Sequence, residues 1–448
     1  MATITVTSTA DSGAGTLRQA LIDATSGDTI EFDAVTFPAN VETIILINSR
    51  LTWSKDIIIN GGDTWTNNGD LKTRVILDGQ SSYQLVQQNN RITATLLKSI
   101  TFKNGYTSGY GAGFNAVNAS GSTSNTFDKC VFDSCNATTG GTAFYASGTS
   151  VNVFNNCVFK NNNGGTLGAL LVASTAEATL NNCLFTANSN LAGTVFCYTG
   201  GVYKINNCQF LNNTGNPSAL SITNNSNVTI KDCNASSNSS FDVSNSNNLD
   251  GGTVFDGTNR FGKFRILADS ITTIKGSITT DISNFANGSI ITFDGVDAVL
   301  AITNTLIDGG ATFQTSTNST GYLALYVGAT APTVGTGVTV CTYGADLLTF
   351  TADTTGATWT ATNLSTPILI EKQNGSTWTA LTANATGGSY STTFAEGDTA
   401  RGFDGAKFLS FTIPIPEPPE PVASYYEVSE NYSLGYIVLG NTPVGYIQ

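Results

Sequence analysis

A tripeptide of the form Cys-x-Phe returns through the first half of the chain at nearly constant intervals, and few architectures accommodate that. The copies are Cys130-Val131-Phe132, Cys157-Val158-Phe159, Cys183-Leu184-Phe185 and Cys208-Gln209-Phe210, with a weaker one at Cys233-Asn234-Ala235. Successive copies stand 27, 26, 25 and 25 residues apart. Ile100-Thr101-Phe102 reads as an earlier copy, and Ile57-Ile58-Ile59 and Val75-Ile76-Leu77 as earlier rungs. In four copies an Asn follows the Cys by five residues, at Asn162, Asn188, Asn213 and Asn238. Asn tolerates left-handed backbone, and its amide bonds to the same side chain one layer away, so an Asn ladder at a coil corner is expected. Period-2 alternation then points Cys and Phe inward and Asn, Lys, Asp or Thr outward.

A unit of about 25 residues, rich in β-branched and aromatic side chains and without helical period, fits a parallel β-helix better than leucine-rich or helical repeats. A β-sandwich of many short strands is the competing fold, but nothing in it requires one tripeptide at fixed spacing. At the start, Thr16-Leu17-Arg18-Gln19 has the form of a capping box. Leu17, Ala20, Leu21 and Ala24 share one face of a short helix that Gly27 ends, followed by a strand over Asp28–Asp33. Such a helix would cover the first coil, which otherwise exposes an edge. The segment Ile4-Thr5-Val6-Thr7-Ser8-Thr9-Ala10-Asp11-Ser12-Gly13, then Gly15-Thr16-Leu17-Arg18-Gln19-Ala20-Leu21, resembles the opening of right-handed β-helix surface proteins of the polymorphic-outer-membrane-protein and pectate-lyase-like type. The resemblance covers roughly residues 1 to 250 and implies an N-terminal cap and a right-handed coil. It says little about activity, because that fold carries adhesins, phage fibres and spikes, lyases and hydrolases.

The expected fold is therefore all-β: a cap over 1–35, a parallel β-helix over 36–315, and a small antiparallel β-sandwich over 316–412. The sandwich is read from short strands with Gly, Asn and Thr turns, including Ile368-Leu369-Ile370-Glu371. Residues 413–424 hold five of the ten prolines and form an extended spacer. The tail, 425–448, carries the near repeats Leu434-Gly435-Tyr436-Ile437 and Val444-Gly445-Tyr446-Ile447. It is too short to fold alone. Its Tyr425, Tyr426, Tyr432, Tyr436, Ile437, Tyr446 and Ile447 argue for docking onto another subunit or a larger particle, with a disordered tail as the alternative.

Chemistry is sparse. The absence of His removes imidazole bases, His-containing metal sites and Ser-His or Cys-His nucleophile pairs. Charged residues are 11% of the 448, and 19 basic against 32 acidic residues give a net charge of −13, so no nucleic-acid partner is expected. No apolar run reaches the ~18 residues of a membrane span, and Met1–Thr5 has neither region of a secretory signal, so no membrane insertion is expected. Five of the eight cysteines recur once per coil, which favours an inert buried column over disulfides or a metal, with Cys197 and Cys341 as isolated core residues. Glycan cleavage needs paired carboxylates, or carboxylates holding Ca²⁺. Residues 92 to 250 offer only Asp128, Asp133, Glu177, Asp232, Asp242 and Asp250, scattered singly. Asp128 and Asp232 are four coils apart and cannot pair. Tyr106, Tyr110, Phe114 and Tyr145 fall in Gly-rich loops, where aromatic rings either stack on sugars or pack along the solenoid.

The sequence thus points to a structural or adhesive protein rather than an enzyme, needing no cofactor, in a virion or on an extracellular surface. A bacteriophage fibre, spike or capsid-decorating protein is expected, a homo-oligomer whose partners are a cell-surface polysaccharide or other virion or surface subunits. The alternatives are a bacterial surface adhesin and a tailspike-like polysaccharide depolymerase, a lyase or hydrolase.

Overall fold

The structure is a computed structural model. It describes residues 1–343 except 89–93, 118–122, 190–192, 199, 216, 224–225, 236–239, 245–251, 296–297, 320 and 327–328. From 344 onward it describes strand backbones and residue 398. One compact unit runs from Met1 to Ala345, and a second takes in Asp346–Thr362, Pro367–Asp404 and Phe408–Gln448.

The first unit is a stack of β-coils. Its two large sheets, of 13 and 21 strands, pair in parallel throughout, each strand with its counterpart one coil away. A representative coil contributes Ser124–Asp128 to the first sheet and Val131–Asp133 and Phe144–Ser147 to the second. These pair in register with Val151–Asn155, Val158–Lys160 and Leu170–Val172 of the next coil. Alternation does the sorting: in Val151–Asn155 the second and fourth residues are buried and the others half-buried.

Because register is exact in period, like residues meet along the axis. Phe102, Phe132, Phe159, Phe185 and Phe210 stack face to face, with centroid separations of 4.7 to 4.9 Å. Phe127 and Phe154 stack likewise at 4.8 Å, and Leu180, Ile205 and Ile230 continue that column. The recurrent cysteines form the inward column the period requires: all are buried and free. Each thiol donates to a carbonyl of the preceding coil, Cys157 to Phe127 at 3.4 Å and Cys183 to Phe154 at 3.5 Å.

Two corners per coil use left-handed backbone. Lys129, Asn156, Asn182, Asn207 and Asp232 precede the Cys rung with φ between 50° and 55°, and Asn104, Ser134, Asn161, Ala187 and Asn212 close the next strand with φ between 52° and 56°. The Asn ladder sits one residue beyond that second corner. Asn188 Oδ1 accepts from Asn162 N at 3.0 Å and Nδ2 at 2.9 Å, and Asn213 Oδ1 accepts the same pair from Asn188 at 3.0 Å each. Asn162, Asn188 and Asn213 are thus chosen for their buried amides, while the left-handed turn falls on the residue before each. Cys135 begins the ladder, its N donating to Asn162 Oδ1 and its thiol to Phe102 O, where Asn162 Nδ2 donates to Phe132 O. Asn238 lies outside the described residues.

After residue 250 the coil changes. The two short second-sheet strands merge into Thr258–Ile266, Ser277–Phe285 and Ala298–Asp308. The step first falls to 19 residues, pairing Thr253 with Thr272 and Ile271 with Ile290, and then varies, with Ile290 pairing Thr312 and Gly321 pairing Val338. The parallel ladder runs past residue 315: Gly321–Tyr326 and Val338–Tyr343 are solenoid strands, not the start of the antiparallel region.

The expected helix is present over Leu17–Asp23, with Leu17, Ala20 and Leu21 buried. The Thr16 hydroxyl accepts from Gln19 N at 3.2 Å, but the Gln19 amide turns forward to Asp23, so the reciprocal bond of a capping box is missing. Lys55 Nζ satisfies the carbonyls of Ile22 and Ala24, and the helix stops at Ala24, ahead of Gly27.

In the second unit Leu348–Asp353, Gly356–Ala361 and Gly388–Tyr390 form one antiparallel sheet. Thr377–Ala385, Ile368–Asn374, Thr399–Phe403 and Phe408–Thr412 form another. The near repeats of the tail are the two strands of a hairpin, Gly435–Leu439 and Thr442–Ile447, which sets Tyr436 opposite Tyr446. Ile437 and Ile447 lie on its strands, whereas the spacer 413–424 and Tyr425, Tyr426 and Tyr432 lie outside the described residues.

Candidate functional site

On the second sheet the strands Phe114–Val117 and Phe144–Ser147 pair in register, Phe114 against Phe144 and Asn115 against Tyr145. Alternation decides the rest. Phe114 and Phe144 point inward, and Phe114 is fully buried, packed edge-on to Phe127 at 5.0 Å and stacked with Phe144 at 5.8 Å. Phe114 is therefore a core residue and cannot meet a ligand. Its neighbour across the pleat, Tyr145, points outward.

The loop before Phe114 brings a second ring to Tyr145. Gly111 adopts φ 66°, and a Cβ there would lie 2.7 Å from Phe114 O. Glycine lets the chain fold back over the sheet, and Asn115 Nδ2 fixes it by donating to Tyr110 O at 3.1 Å. The Tyr110 and Tyr145 rings then stack with centroids 4.5 Å apart at 22°. Burial pushes the Tyr145 phenol above its ordinary value, opposed by a hydrogen bond with Ser147. Tyr106 begins the short strand Tyr106–Thr107 and is 38% exposed.

The positions in register with Tyr145 are Leu171 and, one coil further, Phe196, which are covered at 2% and 6% exposure, while Tyr198, beside Phe196 at 5.7 Å, is 42% exposed. The structure thus unites Tyr110 and Tyr145, leaves Tyr106 on the neighbouring short strand, removes Phe114 and adds Tyr198, which packs beside the buried Phe196. The strand immediately before Tyr198 was legible as a second period: Ala143-Phe144-Tyr145-Ala146 aligns with Thr194-Val195-Phe196-Cys197 once the Cys column has set the frame. An outward strip of rings with neutral polar neighbours offers C–H stacking and hydrogen bonding.

Elsewhere the reactive groups are committed to structure. Burial raises the Cys157, Cys197 and Cys208 thiols well above the ordinary range and pushes Cys135 up to about 12. A thiol in that state is a packing element, not a nucleophile. Asp232 turns a corner and accepts from Thr258 N at 2.8 Å, and Asp242 is locked to Arg265 by two bonds of 2.7 and 2.5 Å. Among the described residues no three carboxylates or thiols gather to hold a metal ion. No known family model and no curated protein matches the sequence.

Proposed function

We propose that the chain is a non-enzymatic structural and adhesive protein, a bacteriophage virion component such as a fibre, spike or capsid-decorating protein. In this reading a right-handed β-helix is the stiff element, a C-terminal antiparallel β-sandwich follows, and the proline-spaced tail docks onto a larger particle. Right-handedness follows from the resemblance of the opening segment and from the preference of parallel crossovers. The observation that carries the reading is the set of outward tyrosines Tyr110, Tyr145 and Tyr198 on a core of stacked columns. Rings held by a rigid scaffold lose little entropy on meeting a sugar face, which is what a cell-surface glycan receptor needs.

The test is to incubate the protein with host surface polysaccharide and follow both binding and cleavage. Retention on the polysaccharide without release of reducing ends or unsaturated sugars supports the reading. Catalytic release assigns a depolymerase instead, and an upstream secretory signal in the gene assigns a cell-surface adhesin.

A further inference from the structure

After the short strand that carries Phe102, Phe132, Phe159, Phe185 or Phe210, each coil runs to its next first-sheet strand through a stretch of one kind of composition. Residues 104–123, 134–150, 161–176, 187–201 and 212–226 contain no Asp, Glu, Lys or Arg, in a chain that is 11% charged. Every charged residue between 104 and 241 falls instead on a first-sheet strand, on the corner that follows it or on the short strand, as Glu177, Lys129 and Asp133 do. Parallel register stacks the five stretches into one uncharged band, roughly 20 Å long at about 4.8 Å per coil. The band stops where Ser221 pairs with Asp242, whose carboxylate is held by Arg265.

The band carries rings and neutral hydrogen-bonding groups. Tyr106 leads a column of exposed amides and hydroxyls, Asn136, Asn163, Ser189 and Thr214, each bridged to the next across one coil. In the same stretches the Tyr110 and Tyr145 rings stack, and Tyr198 lies beside Phe196, two coils or about 10 Å beyond Tyr145. Tyr106 and Tyr198 are 38% and 42% exposed, so ring surface is open to solvent near the start of the band and again further along it.

We infer that the ligand of this face is an uncharged glycan, a chain of neutral hexose units lying along the axis across the tyrosines. This rests on the adhesive reading and narrows it to one ligand class. A sugar carboxylate, sulfate or phosphate seated on the band loses hydration and meets no cation within these stretches. The net charge of −13 repels a polyanion at longer range as well. A neutral ring meets neither obstacle: its C–H face lies on tyrosine, and its hydroxyls exchange water for amide and hydroxyl partners.

Affinity electrophoresis of the full chain through gels holding dextran, mannan or amylose, against gels holding polygalacturonate or alginate, tests it. At least one neutral polymer retards the protein with a Kd at least tenfold below that of either acidic polymer. Raising NaCl from about 20 mM to about 500 mM changes that Kd less than twofold, because no ion pair is there to be screened. Tyr145→Ala weakens the neutral polymer at least fivefold, whereas Tyr145→Phe keeps the ring and stays within twofold. Tyr198→Ala, at an exposed position outside the core, also costs at least fivefold and keeps the test decisive should the Tyr145→Ala chain not fold. Retardation by the acidic polymers alone, lost in Tyr198→Ala, overturns the neutral assignment and leaves the adhesive reading standing. Retardation by none of the five overturns it too, and the adhesive reading falls only if the host polysaccharide is also left unbound. Full affinity in both alanine variants places the ligand elsewhere and overturns the assignment.

Discussion

A single buried amide illustrates how this chain holds its register. Asn188 accepts two bonds from Asn162 and donates from Nδ2 to Phe159 O at 2.9 Å as well as to Asn213. Asn188→Ala orphans buried groups on both neighbouring coils, each costing about 1–3 kcal/mol. Chemical denaturation should therefore register a loss of roughly 3 kcal/mol, whereas Asn182→Gly at the left-handed corner should stay within about 0.5 kcal/mol. Asp28 sets a second residue-scale expectation. It accepts from Ala2 N at 2.6 Å and from both N and Oγ1 of Thr25, which lowers its carboxyl from 3.8 to about 2. A lowered pKa stabilises the folded cap above the ordinary value and loses that contribution as pH falls toward the folded one. The hydrogen-exchange protection of the cap helix, taken relative to the intrinsic rate at each pH, should fall between about pH 4 and about pH 2, and Asp28→Asn should remove that dependence. What the sequence disclosed at this scale was identity repeated at fixed intervals, as at Cys130, Cys157 and Cys183. The left-handed corner was not legible, because Asn161, Ala187 and Asn212 include an alanine that neighbouring coils force into φ 53°.

At the scale of strands and columns, the face-to-face phenylalanines are the largest repeated contribution to the core. Phe159 lies 4.7 Å from Phe132 and 4.7 Å from Phe185, nearly parallel to both. Truncation to Ala leaves a cavity inside an unbroken stack, and Phe159→Ala should cost about 3–5 kcal/mol in equilibrium unfolding. Equal loss from Tyr198→Ala, which is 42% exposed, would contradict the inward and outward assignment. Phe114 was misread from sequence because Gly111 and Gly113 flank it and resemble a loop. Its true frame is the strand partner Phe144, 30 residues on, reached only through a period that local composition hides. The antiparallel hairpin of Thr64–Asn67 and Asp70–Thr73 was invisible for a different reason. Asp70 pairs with Lys160, 90 residues away, and the hairpin has no counterpart among the described residues of the other coils.

For the molecule as a whole, the thirteen strands of the first sheet at about 4.8 Å spacing amount to roughly 58 Å of stacked coil. Solenoid stability comes from nearest-neighbour interfaces, so a coil depends on adjacent coils and not on distant sequence. Deleting residues 414–448 should leave circular dichroism and the melting transition of the β-stack unchanged while incorporation into the native particle is lost; unchanged incorporation would refute the anchoring role. The shift to shorter coils of uneven length after residue 250 followed from no tripeptide. There the Cys corner disappears and two strands fuse, so the ladder continues to Tyr343 without its marker. The decisive measurement is a crystallographic sulfur anomalous map at long wavelength. The peaks of Cys130, Cys157, Cys183, Cys208 and Cys233 should fall on one axis at intervals of about 4.8 Å. Sulfur positions scattered off a common line would contradict the stacked-coil account.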